Sequence, residues 1–152
     1  MTAAVRIRRA TVAEVVACNA VVFPLTGPID DADLEDSAWW VAVRAGVVVG
    51  FAGVKVTGDR GYLTRAGVVK EARGAGLQRR LLRVREAYAR KMGAKRTYTY
   101  VEASNYASAS NLAACGYRYD YYEPGADGYA WCWWQKSLDG SKLPHYRAAH
   151  AY

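Results

Sequence analysis

Hydrophobic and polar positions along the chain follow two periods, one of strands and one of helices. Val5-Arg6-Ile7-Arg8 alternates, as a half-buried strand does. Thr11 then precedes a helical pattern through Val12, Val15, Val16 and Ala20, with Glu14 placed to complete a capping box. Pro24, Gly27 and Pro28 end it, and the acidic run of Asp30, Asp31, Asp33, Glu35 and Asp36 reads as a short second helix whose first turn favours negative charge. Trp39 to Val43 and Val47 to Val56 read as strands turning at Ala45-Gly46, and Gly61 to Val69 as a fourth strand. Leu77, Leu81, Leu82, Val84, Tyr88, Ala89 and Met92 then recur at helical spacing opposite Arg79, Arg80, Arg83 and Arg90, until Gly93 stops the helix. Arg96 to Val101, rich in Thr, Tyr and Val, reads as a fifth strand. Ser104 is placed to cap a helix from Asn105 to Cys115, with Gly116 as its stop. Tyr117 to Tyr122 and Tyr129 to Lys136 close the pattern as an antiparallel pair. The order β-α-α-β-β-β-α-β-α-β-β describes an α/β (α+β) domain of about seven strands and four helices.

Composition adds boundaries. The 152 residues suffice for one domain with its own core, without metals or disulfides. Cys18, Cys115 and Cys132 have no CxxC spacing, so neither a zinc site nor a disulfide framework is expected, and they read as thiols of a reducing compartment. No secretory signal or membrane span is apparent, which makes the cytoplasm the expected location. The net charge of +7 is uneven: between Arg60 and Arg96 stand twelve basic residues against two acidic ones, Glu71 and Glu86. Such a field suits a polyanionic small molecule or a nucleic acid, and it also describes a plain solvated helix face.

The basic stretch contains the segment that carries the chemistry. Val68-Val69-Lys70-Glu71-Ala72-Arg73-Gly74-Ala75-Gly76-Leu77-Gln78 leads from the fourth strand into the long helix. Glycines that bring bare N–H groups to a helix N-terminus form a seat for phosphate, although a loop with two glycines is also an ordinary turn. The surroundings are more specific. Val68, Arg73-Gly74, Gly76-Leu77 and Leu81-Leu82 together resemble the acyl-CoA signature of the GCN5-related N-acetyltransferase (GNAT) family. Asn105-Tyr106-Ala107-Ser108, Leu112 and Gly116-Tyr117 resemble its second signature, in the expected order. The resemblance covers about Val5 to Leu138, so residues 1–140 are expected to be the acetyltransferase domain and 141–152 a tail outside it. It implies a mixed, mostly antiparallel sheet splayed between strands four and five, with the pantetheine arm of coenzyme A in the opening.

The resemblance implies residue roles. The backbone of Val68 and Val69 would bond the pantetheine arm, and the N–H groups of Arg73, Gly74, Ala75, Gly76, Leu77 and Gln78 would hold the pyrophosphate. Asn105, with Ser108 in the same motif, would approach from the other side, although Asn105 is also an ordinary helix-start residue. The implied reaction is direct attack of an amine on the thioester of acetyl-CoA, with a strand-four N–H at the oxyanion and no metal. Glu102 is the candidate base, and Tyr100 and Tyr98 are expected to line the same cleft. Three positions depart from the family. Gln78 replaces a small residue. Leu112 stands where many members carry the tyrosine that protonates the thiolate, leaving Tyr106, water or no acid, since a thiolate is a tolerable leaving group. Strand four, Tyr62 to Gly67, has no carboxylate.

For the acceptor, the acidic run and the aromatic group Tyr119, Tyr121, Tyr122, Trp131, Trp133 and Trp134 suit a cationic amine, free or on a protein. Alternatively the acids are solvated and the tryptophans pack the core. Two other functions fit parts of the sequence: a catalytically silent GNAT-like domain that binds CoA or a protein partner for regulation, and, less well, a basic nucleic-acid-binding module. Both histidines, His145 and His150, fall in the tail, which either lies loose or folds onto the acceptor site or a second copy in a homodimer.

Overall fold

The computed structural model describes residues 3–126 and 128–144. His145 and His150, and the expectations attached to them, lie outside the described residues. Strands β1 (Val5–Arg9), β2 (Ala38–Arg44), β3 (Val47–Thr57), β4 (Arg60–Val68), β5 (Arg96–Glu102), β6 (Arg118–Pro124) and β7 (Ala130–Ser137) form one sheet in the order β1-β2-β3-β4-β5-β7-β6. Every pairing is antiparallel except β4 with β5. Helices α1 (Val12–Val22), α2 (Asp31–Asp36), α3 (Leu77–Lys91) and α4 (Tyr106–Ala114) flank it, and a 3-10 turn at Lys70–Ala72 precedes the glycine loop.

Capping fixes where α1 begins. Thr11 Oγ1 accepts from the Glu14 N–H, and Glu14 returns a bond to the Thr11 N–H. Arg8 then clamps both carboxylate oxygens of Glu14, at 2.9 and 2.6 Å. The arginine bond, followed by the Thr11 amide, pulls the Glu14 carboxyl from its usual 4.5 down to about 2. A carboxyl depressed on folding adds stability above its unfolded pKa, and that contribution is lost as pH falls through its folded value. An NMR titration is therefore expected to place the Glu14 midpoint near 2, and Arg8→Ala is expected to move it back toward 4.5.

Two apolar clusters cover the two faces. Leu77, Leu81, Leu82 and Ala89 of α3 pack with Val54, Leu63 and Val68 on one side. Val15 and Cys18 of α1 pack with Trp39, Val41 and Phe51 on the other. Trp39 also donates its indole N–H to the Leu34 carbonyl at 3.0 Å, which ties the end of α2 to the sheet. A buried polar cluster joins α3 to the second half of the sheet. Tyr117 donates to Glu86 at 2.8 Å and lies 2.7 Å from Thr97 Oγ1, and Lys136 reaches the same carboxylate at 3.2 Å. Burial, then the Glu86 charge, holds the Tyr117 hydroxyl well above its ordinary pKa.

The start of α4 differs from expectation. Asn105, not Ser104, is its N-cap, with Oδ1 accepting from the Ser108 N–H at 3.2 Å, while Ser104 Oγ donates to Glu102 at 2.7 Å. Met92, expected on the apolar face of α3, is 54% exposed, because the helix ends there and the sheet no longer covers it. Among the described residues no helix is long and apolar enough to cross a membrane.

Candidate active site

A register slip in β4 creates the site. Val54 faces Leu63 but Ala52 faces Ala66, so Thr64 and Arg65 together oppose Gly53. Their side chains both turn toward the α1 side: Thr64 Oγ1 meets Ser37 Oγ at 3.2 Å, and Arg65 donates to Asn19 Oδ1 at 3.0 Å and to the Gly27 carbonyl at 3.2 Å. Such a bulge bends its strand. β4 accordingly pairs with β5 only at Arg60↔Arg96, Gly61↔Thr97 and Tyr62↔Tyr98. One further link, Thr99 Oγ1 to the Leu63 carbonyl at 3.1 Å, marks the vertex beyond which the strands part.

The opening is a cleft of about 680 Å³. One wall is Leu63 to Val68, the other Thr99 to Glu102, with Asn105, Ser108, Asn111 and Leu112 of the α4 segment at its mouth. A smaller pocket of about 120 Å³ adjoins it under the glycine loop, formed by Gly74, Gly76, Leu77 and Arg79. Val68, Arg73, Gln78 and Asn111 line both, so loop and cleft form one continuous channel.

The loop has the features of an anion seat. Gly74 and Gly76 stand at φ +85° and +75°, a region L side chains rarely adopt, and a Cβ at either would meet open space. Gly76 is the N-cap of α3, a helix of fifteen residues whose first turn has no acidic residue and no side-chain cap. Its first N–H groups therefore face the channel free of intrahelical partners.

These observations meet the comparisons with known proteins. A family model described as the acetyltransferase (GNAT) family matches residues 10–117. The chain belongs to that family. A comparison with curated proteins finds no match. Among solved structures, the chain is similar to the ribosomal-protein-S18-alanine N-acetyltransferase of Escherichia coli, with a TM-score of 0.77 at 17% identity over 94% of this chain and 99% of that one. It is also similar to an acetyltransferase from Salmonella typhimurium solved with its cofactor acetyl-CoA, at 0.74 and 22% over 94% and 99%, and to a nourseothricin acetyltransferase, at 0.74 and 21% over 89% and 99%. At these identities the likeness concerns the fold. As a GNAT enzyme the protein is an N-acetyltransferase that uses acetyl-CoA. The channel fits that co-substrate: an uncapped helix start for the diphosphate, then a gap between strands for the extended arm.

Within the GNAT frame, most residues singled out from the sequence come together. Val68, Arg73, Gln78, Tyr100, Glu102, Asn105 and Ser108 line the cleft, and Gly74, Gly76 and Leu77 the loop pocket. Ala75 is exposed in the loop without lining either. The Val69 N–H donates to the Val49 carbonyl at 2.9 Å, so within the sheet that group is already engaged. Gln78 is exposed and borders both pockets. Tyr106 is 77% exposed and outside the cleft lining, whereas Leu112 is buried at the mouth.

Tyr100 belongs to a stack on the α1 side of the sheet. Its ring lies 5.7 Å from Tyr62, 5.4 Å from Trp131 and 5.0 Å from Trp133, and Tyr98 lies between Tyr62 and Trp133. Burial, then the neighbouring Tyr100, pushes the Tyr62 hydroxyl far above its ordinary pKa, so it stays protonated. Trp134 and Tyr119 are not in this group; they contact each other on the opposite face.

Sequence reasoning missed two arginine placements. Arg65 and Arg85 line the cleft together with the expected Arg73, while Arg80 and Arg90 donate to the backbone carbonyls of Val5 and Leu138. The basic stretch is thus turned partly inward rather than gathered on one surface. Arg85 had a signal: it interrupts the i, i+4 series Leu77, Leu81, Arg85, Ala89. Among the described residues no cluster of three or more His, Cys, Asp or Glu could hold a metal.

Proposed function

We propose that the acceptor is a cationic primary amine, free or carried on a peptide, that approaches the thioester across the aromatic stack on the α1 side. The observation that carries this reading is the placement of Tyr100 and Trp131 beside Glu102 in the cleft lining, with Tyr62 and Tyr98, which do not line the cleft, stacked behind them. Ring faces attract cations, and Trp131 and Tyr100 remain 37% and 39% exposed to meet one. The acids of α2 border the same surface, since Asp33 pairs at 2.9 Å with Lys55, which stands opposite Tyr62.

Glu102 removes the proton from the ammonium, and the amine nitrogen attacks the thioester carbon. Ser104 orients that carboxylate. The C–S bond then breaks, the sulfur leaves as a thiolate, and the nitrogen sheds its second proton through the same carboxylate to solvent. A thiol titrates at about 8.5, so the thiolate departs without the acid that Leu112 does not supply. Gln78 and Asn111 close the channel mouth around the arm, with Arg79 donating to Asn111 across α3 and α4 at 3.2 Å.

The test is CoA release with a panel of amines. Spermidine, lysine-containing peptides and amino sugars are expected to turn over, and amino acids with a net negative charge are not. Equal rates for both groups would sink the cationic reading. Glu102→Gln is expected to lower kcat about 100-fold while leaving acetyl-CoA affinity in place. A variant as active as the parent would mean that water serves as the base.

A further inference from the structure

The inner wall of the cleft carries a group that the reaction above does not use. Arg85 is 5% exposed, and it lines the cleft from α3. Its Nε donates to the Leu81 carbonyl and its Nη1 to the Gly53 carbonyl, each at 3.3 Å. Among the described residues no carboxylate lies within ion-pair distance of it. Its neighbour Glu86 turns instead to Tyr117 and Lys136. An unpaired charge in such surroundings is unfavourable, and a leucine would have continued the stripe. Burial draws the guanidinium down to about 10, which still leaves it cationic at neutral pH.

Its position along the channel is informative. The loop end of the channel lies at Gly74 to Gln78, where the CoA reading seats the diphosphate. The closed end is the vertex, where Tyr62 pairs with Tyr98 and Thr99 reaches Leu63. Gly53, which Arg85 holds, stands opposite the Thr64-Arg65 bulge next to that vertex. With the diphosphate on the loop, the far end of the thioester chain points toward this cation. Leu63, Ala66, Leu82 and Val101 supply an apolar sleeve on the way.

We propose that the closed end of the cleft also receives short acyl groups that end in a carboxylate, of the malonyl and succinyl type, with Arg85 as their counter-charge. The inference rests on the CoA-thioester reading of the cleft. The transfer balances as acetyl transfer does. The amine nitrogen bonds to the carbonyl carbon, the C–S bond breaks, CoA leaves as its thiolate, and the two protons that the ammonium sheds on becoming an amide pass in turn through Glu102 to solvent. The product differs: a cationic amine becomes an amide with a free carboxylate, so the acceptor loses one positive charge and gains one negative.

Calorimetry on the full chain with acetyl-CoA, succinyl-CoA and butyryl-CoA tests this, because succinyl and butyryl groups have equal carbon counts and differ in the carboxylate. Succinyl-CoA is expected to bind about tenfold or more tightly than butyryl-CoA, as a charge-assisted contact predicts. Arg85→Met is expected to erase that ratio and Arg85→Lys to retain part of it. The wild-type comparison stands even if Arg85→Met, which also frees the Gly53 carbonyl, folds poorly. Acetyl-CoA binding with butyryl-CoA equal to or better than succinyl-CoA would overturn the proposal alone. No binding of any of the three would overturn the CoA reading with it.

Discussion

A Gly76→Trp variant is expected to fold and to lose acetyl-CoA binding by about 1000-fold, the loss of two charge-assisted N–H bonds at about 2 kcal/mol each. Gly76 is the residue from which α3 starts, at φ +75°, and a Cβ there meets no protein atom within 4 Å. The indole therefore projects into the space where phosphate oxygens must approach the first N–H groups of the helix. The left-handed conformation adds strain of about 1–2 kcal/mol to the folded state, which lowers stability without removing the fold. Calorimetry measures the affinity, and a thermal melt of the same sample confirms folding. Retained binding in a folded variant would place the diphosphate elsewhere.

Gly53→Ala is expected to destabilise the protein by about 3 kcal/mol, the upper range for overpacking a rigid site. A Cβ at Gly53 would stand 2.4 Å from Trp39 Cζ3 and 2.6 Å from Thr64 Oγ1. Neither neighbour has room to yield. Trp39 is 4% exposed, packs on Phe51 and is fixed by its bond to Leu34, and Thr64 belongs to the bulge itself. Relief of the clash must push β4 outward at the vertex, so acetyl-CoA affinity is expected to fall in parallel. Urea denaturation followed by tryptophan fluorescence measures the first effect. Stability equal to the parent would mean that Trp39 can repack.

These two positions also mark where the sequence was readable. The glycine loop was legible because each requirement there is local: two residues with positive φ, a helix start, and an apolar stripe at helical spacing behind it. The capping box of Thr11 and Glu14 was legible for the same reason. The role of Gly53 was not, because a bulge is a mismatch between two strands and neither strand alone records it. The aromatic hairpin failed in the same manner. Tyr119 and Tyr121 are two apart and alternation assigns them one face. The slip between them pairs Tyr119 with Trp134 and Tyr121 with Trp133, neighbours on β7 that point opposite ways. Arg85 was overlooked because a helix period predicts which face a residue occupies, not that a cavity opens on that face.

The three-pair ladder between β4 and β5 has one more consequence. Past Tyr62 and Tyr98 each strand turns a row of main-chain groups toward the gap, an internal edge flanked by sheet on both sides. Unpaired edges are reactive surfaces, and an arm of coenzyme A lying between them fills this one as a missing strand does. A ligand that binds only the folded chain at a hundred times its dissociation constant adds about 2.7 kcal/mol to stability. With the arm placed there, the same compound that feeds the reaction would also be a structural part of the sheet. In a cell short of acyl-CoA, the enzyme is expected to lose both its turnover and its resistance to proteolysis, so that its abundance follows the supply of its own donor.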